Sequence, residues 1–184
     1  MINEPALALL ELRSIARGIK TCDEVLKKAD VQLLDARTLC PGKYMVLFAG
    51  AVSPVEESFK QGLLIGDDMM VDELFLPNAH PQLIPAMEAC AVAPEVDALA
   101  VFETFTVASC ILAADAAAKG ANIFLIEMRL ANGLGGKSFF TMTGEIAEIE
   151  AAADFAKKAI AHLAAMVAVE IIPRPHKDLI VKVT

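Results

Sequence analysis

The chain has 184 residues, of which 56% are hydrophobic, and a formal net charge of −8. An acidic balance without a run of Lys and Arg excludes the nucleic-acid phosphate backbone as a partner. A membrane span is excluded too, because Glu103, Asp115, Glu127, Asp154 and Glu170 interrupt every apolar stretch before it reaches the roughly 18 residues such a helix needs.

In chain order, residues 6–13 read as an apolar strand, and Ser14 as the N-cap of a helix reaching residue 29. Residues 31–39 and 43–49 read as two strands joined by Cys40-Pro41-Gly42, where proline presets φ and glycine supplies unusual dihedrals. Ser53-Pro54-Val55-Glu56 has the form of a capping box with proline at the first helical position, so a helix is expected from there to about residue 65. A strand at 71–76, a short closing helix at 80–90 and a linker at 91–97 complete the first half.

The second half repeats the first. Ala6-Leu7-Ala8-Leu9-Leu10-Glu11 returns as Ala98-Leu99-Ala100-Val101-Phe102-Glu103, an offset of 92 that holds through Asp23/Asp115, Lys27/Lys119 and Val31/Ile123. After a two-residue insertion Gly42-Lys43 falls on Gly136-Lys137, and after another Pro77-Asn78-Ala79-His80 falls on Pro173-Arg174-Pro175-His176. The expected organisation is therefore two domains, 1–92 and 93–184. Each is an α+β unit of the β-α-β-β-α-β ferredoxin-like type, a four-stranded antiparallel sheet with flanking helices. Two such small cores cannot hide all the apolar material from water, so the surplus is expected at subunit interfaces.

The copies part company where a cysteine stands in a turn. Where the first has Leu39-Cys40-Pro41-Gly42-Lys43, the second has Asn132-Gly133-Leu134-Gly135-Gly136-Lys137 and no thiol. The glycine run lacks the G-x-x-x-x-G-K-[ST] spacing of a phosphate loop and joins two strands, so it reads as a flexible or close-packed loop. The amino terminus has neither the basic region nor the apolar core of a signal peptide, which leads to the expectation of a cytoplasmic chain with reduced cysteines. Cys22, Cys40, Cys90 and Cys110 contain no C-x-x-C, so one chain alone supplies no zinc ribbon or ferredoxin motif. By residue type alone Cys40 reads as a small hydrophobe or an idle turn thiol. Cys22, Cys90 and Cys110 fall in helical stretches at apolar positions and read as core. His80 and His176 fall at equivalent places after a strand, which favours capping of the closing helix over catalysis. No Ser-His-Asp or Cys-His arrangement points to an enzyme.

These residues resemble the tandem-domain shell proteins of bacterial microcompartments. The resemblance is carried by the strands ending in Glu11 and Glu103, the Asp-x-x-x-Lys pairs Asp23/Lys27 and Asp115/Lys119, the Gly-Lys pairs and Ile172-Pro173-Arg174-Pro175-His176. It implies a homotrimer whose six domains imitate a hexagon and tile with other shell proteins around encapsulated enzymes, redox enzymes among them. It implies that the loop of Leu39, Cys40, Pro41, Gly42 and Lys43 and that of Asn132, Gly133, Leu134, Gly135 and Gly136 meet at the central pore. Lys27, Lys119 and Arg174 would lie at the tiling edge, although Asn78 replaces Arg174 in the first copy. It further implies that Cys40 is a metal ligand: three chains would hold one iron-sulfur cluster, of the 4Fe-4S type, per trimer for electron transfer across the shell. Two alternatives stay open at this stage, a shell tile with a metal-free metabolite pore and a soluble ferredoxin-like carrier or redox enzyme.

Overall fold

The computed structural model describes residues 5–93 and 95–183. Residues 1–4 of the amino terminus, Pro94 of the expected linker, and Thr184 lie outside the described residues. The chain forms two compact units, Met1–Ala79 and His80–Thr184.

In the first unit, β1 (Ala6–Leu12), α1 (Ile15–Lys28), β2 (Gln32–Leu39), β3 (Lys43–Gly50), α2 (Val52–Gly66) and β4 (Met70–Leu76) follow in order. The antiparallel sheet has the order β2-β3-β1-β4. Ser14 caps α1, its hydroxyl accepting from the Arg17 amide at 3.2 Å. Gly18, Thr21, Cys22 and Val25 are the buried stripe of α1, at the i, i+3, i+4, i+7 spacing of one helical face. Gly18 is needed there, since a Cβ would stand 2.5 Å from Tyr44 on β3. The expected capping box is not used: Ala51 is the N-cap of α2, and Ser53 lies inside the first turn with no side-chain cap. β3 runs to Gly50, and Ala51, with extended φ and ψ, takes the N-cap place two residues before Ser53, so the helix starts upstream of the box. Alternate residues of the two central strands, Ala6, Ala8, Leu10, Leu12, Val46 and Phe48, form the core with Val25 and Val55.

The second unit opens with α3 (Leu83–Met87), then β5 (Ala98–Thr104), α4 (Val107–Gly120), β6 (Phe124–Leu130), β7 (Ser138–Gly144), α5 (Ile146–Ile160), β8 (Met166–Ile172) and α6 (Lys177–Val183). Its sheet order, β6-β7-β5-β8, repeats that of the first unit. The duplication reaches the irregularities: β2 shifts register between Leu33 and Asp35, and β6 between Leu125 and Glu127. The expected 80–90 helix is only Leu83–Met87, and it packs on β6 and α4 of the second unit. Sequence repeats and packed units therefore have different boundaries, because that helix finds its apolar cover downstream of the strands it follows.

Candidate functional site

The two hairpin tips are the places where the copies differ chemically. Leu39 pairs with Lys43, so β2 and β3 are joined by only Cys40, Pro41 and Gly42, with a cis Cys40–Pro41 bond and Gly42 at φ 77°. All three turn residues are exposed and the Cys40 thiol is free. The second hairpin is longer. Leu130 pairs with Ser138, and residues 131–137 between them include Ala131, Gly133, Gly135 and Gly136 at positive φ. Left-handed backbone at three glycines explains the composition of that loop, and a Cβ at Gly133 or Gly135 would point into open space. Asn132 is exposed and Leu134 half-buried.

Each tip is tied to its sheet by an ion pair, and sequence reasoning missed this pairing. Glu11 faces Met45 across β1 and β3, which makes Lys43, two residues along the same face, its diagonal neighbour. The Lys43 ammonium donates to the Glu11 carboxylate. Glu103, facing Phe139, meets Lys137 in the same way at 2.5 Å. The two pairs differ in environment. Glu11 is 1% exposed and its Oε2 has no partner among the described residues, whereas the Glu103 side chain is 33% exposed. Lys43 is thus not a loose positive charge beside Cys40, because a buried carboxylate neutralises it. The recurrence of Glu and Lys together at matching places in both copies was the available signal.

The expected edge residues differ in their surroundings. Lys27 binds Asp23 at 2.5 Å on the exposed face of α1. The equivalent Lys119 binds Asp115 at 2.6 Å, but Asp115 is buried and its other oxygen accepts from the His80 amide at 2.8 Å. Arg174 is exposed and lines a cleft with Glu95 and Asp97. The imidazole Nδ1 of His80 accepts from the Gln82 amide and that of His176 from the Asp178 amide, so both histidines brace the turn entering a terminal helix.

Cys22 and Cys110 are buried, as expected of core residues. Burial pushes the Cys110 thiol up to about 12, with the Thr104 hydroxyl opposing the shift. Cys90 corrects the expectation: it follows α3, outside any helix, and is exposed, with its Sγ donating to the Glu88 carbonyl at 3.4 Å. The chain breaks out of helical geometry at Ala89, whose φ is 54°, and this leaves Cys90 no core to join. Among the described residues no three His, Cys, Asp or Glu side chains converge to hold a metal ion. None of the described helices is long and apolar enough to cross a membrane.

Two ferredoxin-like units with duplicated tip-anchoring ion pairs define a tandem-domain architecture. The BMC domain model matches residues 6–79 and again 98–175, and the chain belongs to this family of bacterial microcompartment shell proteins. It is 36% identical over 174 residues to the bacterial microcompartment shell protein PduT of Citrobacter freundii, covering 95% of each chain. A solved microcompartment protein from Desulfitobacterium hafniense DCB is 40% identical, with a TM-score of 0.90 over 96% of this chain and 98% of that one. A fused, permuted hexameric shell protein of the RMM microcompartment shares the fold at 21% identity and a TM-score of 0.60, over 86% of this chain and 82% of that one.

Proposed function

We propose that three copies of the chain form a pseudo-hexagonal tile of the shell, and that Cys40 of each copy lends one thiolate to a 4Fe-4S cluster on the three-fold axis. The role is structural and electron-conducting, with other shell proteins at the tile edges, encapsulated redox enzymes as electron partners, and no catalytic site. The observation that carries the reading is the exposed, free Cys40 thiol at the apex of a three-residue turn, present in one copy only.

The donor set fits such a group only through symmetry. A 4Fe-4S cluster takes four cysteine-type ligands, one chain offers one thiol at this tip, and three-fold assembly brings three together with a fourth corner left for an external ligand. Cys22 and Cys110 are buried, so neither offers its thiol to an external group. When bound, the cluster supplies one-electron chemistry. The chain's own contribution is to fix the sulfur: the short Cys40-Pro41-Gly42 link restricts its travel, and Glu11 anchors Lys43 at the foot of the turn. Glu11 also cancels the lysine charge, so the turn adds no net cation to the cluster's surroundings.

Anaerobic reconstitution with iron and sulfide tests this, followed by electron paramagnetic resonance beside the Cys40→Ser variant. The expected result is a brown, oxygen-sensitive trimer with one cluster per three chains, and a colourless variant of the same mass. Equal iron content and identical visible spectra in the two proteins would sink the cluster while leaving the tile standing. A colourless wild-type trimer would favour a metal-free metabolite opening.

A further inference from the structure

The copies also differ in the turn that leaves the longer helix, α2 in the first and α5 in the second. The Arg13 amide donates to the Met69 carbonyl at 2.9 Å and the Phe105 amide to the Ala165 carbonyl at 2.8 Å, so one backbone contact recurs and sets the two turns in register. In the first copy Asp67 and Asp68 separate Gly66 from Met69, whereas in the second Ala161, His162, Leu163 and Ala164 separate Ile160 from Ala165. The longer turn leaves helical geometry at Ala164, which stands in the left-handed region at φ 50°.

The surface changes from charged to apolar with that difference. Arg13, Asp67 and Asp68 are exposed in the first copy. In the second, Phe105 is 56% exposed, Leu163 45% and Met166 44%. Beside them opens a cavity of about 380 Å³, lined by Lys157, Ile160, Ala161, Ala164, Ala165 and Met166. Small-molecule sites occupy roughly 300–1,000 Å³, have mostly apolar walls and carry few polar groups. Lys157 is the one charged group in this lining. Its ammonium meets Asp154 at 3.6 Å in an exposed bridge, which contributes little and yields to a better-placed anion. Met166 has a flexible thioether chain that adapts to the shape of what it covers. Thr104 pairs with both Met166 and Ser138, so the cavity lies at the same end of the sheet as the glycine loop.

We propose that this cavity binds a small anion with an apolar chain, of the alkyl monocarboxylate class. The chain lies against Ile160, Ala165 and Met166, and the carboxylate accepts from Lys157 Nζ. The walls select this chemistry. A cation is repelled by Lys157, and a sugar or a polyanion leaves polar groups facing alanine and isoleucine without partners. The first copy takes no such ligand, because Asp67 and Asp68 stand at its turn and repel a carboxylate. Each chain therefore carries one site. The site is independent of Cys40 and of the number of chains in the tile.

Hexanoate is the probe, titrated into the full chain with methyl-labelled methionine and read by nuclear magnetic resonance. Met69→Leu, Met70→Leu and Met166→Leu assign the three signals that matter. The Met166 methyl should shift with a dissociation constant on the order of a millimolar, while Met69 and Met70, at the corresponding turn of the first copy, stay still. Lys157→Met should weaken hexanoate by about tenfold and leave the weaker binding of hexanol unchanged, since the variant loses one charge-assisted contact and keeps the apolar walls. Lys157→Arg keeps the charge and should keep the binding. Methionine signals of the variants that coincide with those of the parent chain away from the cavity show that the fold is intact. No Met166 shift at about ten times the expected constant overturns the site. Equal shifts at Met69, Met70 and Met166 reveal general apolar association and overturn it too. Hexanoate binding that is unchanged in Lys157→Met overturns the choice of an anion.

Discussion

The same substitution made at equivalent places in the two copies should have unequal costs. Lys43→Met strands Glu11, which is 1% exposed and already has one carboxylate oxygen without a partner. Removing one member of a buried pair costs about 3–5 kcal/mol, because the remaining charge has neither water nor a counter-ion. Lys137→Met leaves Glu103 with a third of its side chain in solvent, so the loss is that of an exposed pair, about 1 kcal/mol or less. Urea unfolding followed by circular dichroism reads the difference, at one fixed protein concentration because association contributes to apparent stability. The midpoint of Lys43→Met should fall by about 1–2 M, given typical denaturant slopes, while that of Lys137→Met stays within a few tenths. The double variant Glu11→Leu, Lys43→Met should recover most of the loss, since an apolar pair of similar volume carries no desolvation cost. Equal costs for the two single lysine variants would show that burial does not distinguish the pairs.

Cys110 gives a pH dependence at the alkaline end. Its thiol is held protonated in the fold, with a pKa raised from 9.0 to about 12, so the native chain binds the proton more tightly than the unfolded chain. That contribution is fully present below pH 9 and is lost as pH rises through 12; Cys110→Ala should flatten the stability profile across this window. Gly62→Ala would set a Cβ 2.2 Å from Leu10 Cδ1 and 3.0 Å from Val25 Cγ2, an overpacking that should cost about 1–3 kcal/mol in the same unfolding assay. Iodoacetamide on the metal-free native chain should label Cys40 and Cys90 and spare Cys22 and Cys110 until urea is added, as mass spectrometry of peptides will show.

The strands and their order were legible because the repeat exposed alternation twice, and agreement between copies separates pattern from accident. Ser14 was legible for the same reason: a capping hydroxyl sits directly before an amphipathic period. Ser53 misled, because the capping-box spacing says nothing about where β3 releases the chain, and Ala51 directly after the strand takes the N-cap place. Cys40 stood out as the one thiol that the second copy lacks at that place, but the partnership of Glu11 with Lys43 depends on strand register, and register is not written in either residue. The path of α3 was hidden for a different reason. A short apolar helix carries no signal of which sheet it will cover, and the side chain that decides the matter, Gln82, which bonds the backbone of Ile123 and Leu125, is unremarkable in the sequence.

That path fixes how the chain comes apart. A cut at the end of the first repeat would leave residues 80–92 on a unit that does not bury them and would strip β6 of the helix that seals it. A cut between Ala79 and His80 follows the packing. Exchange of half-chains between relatives must therefore transfer α3 with the strands encoded after it, so the transferable module is offset from the repeat by one helix.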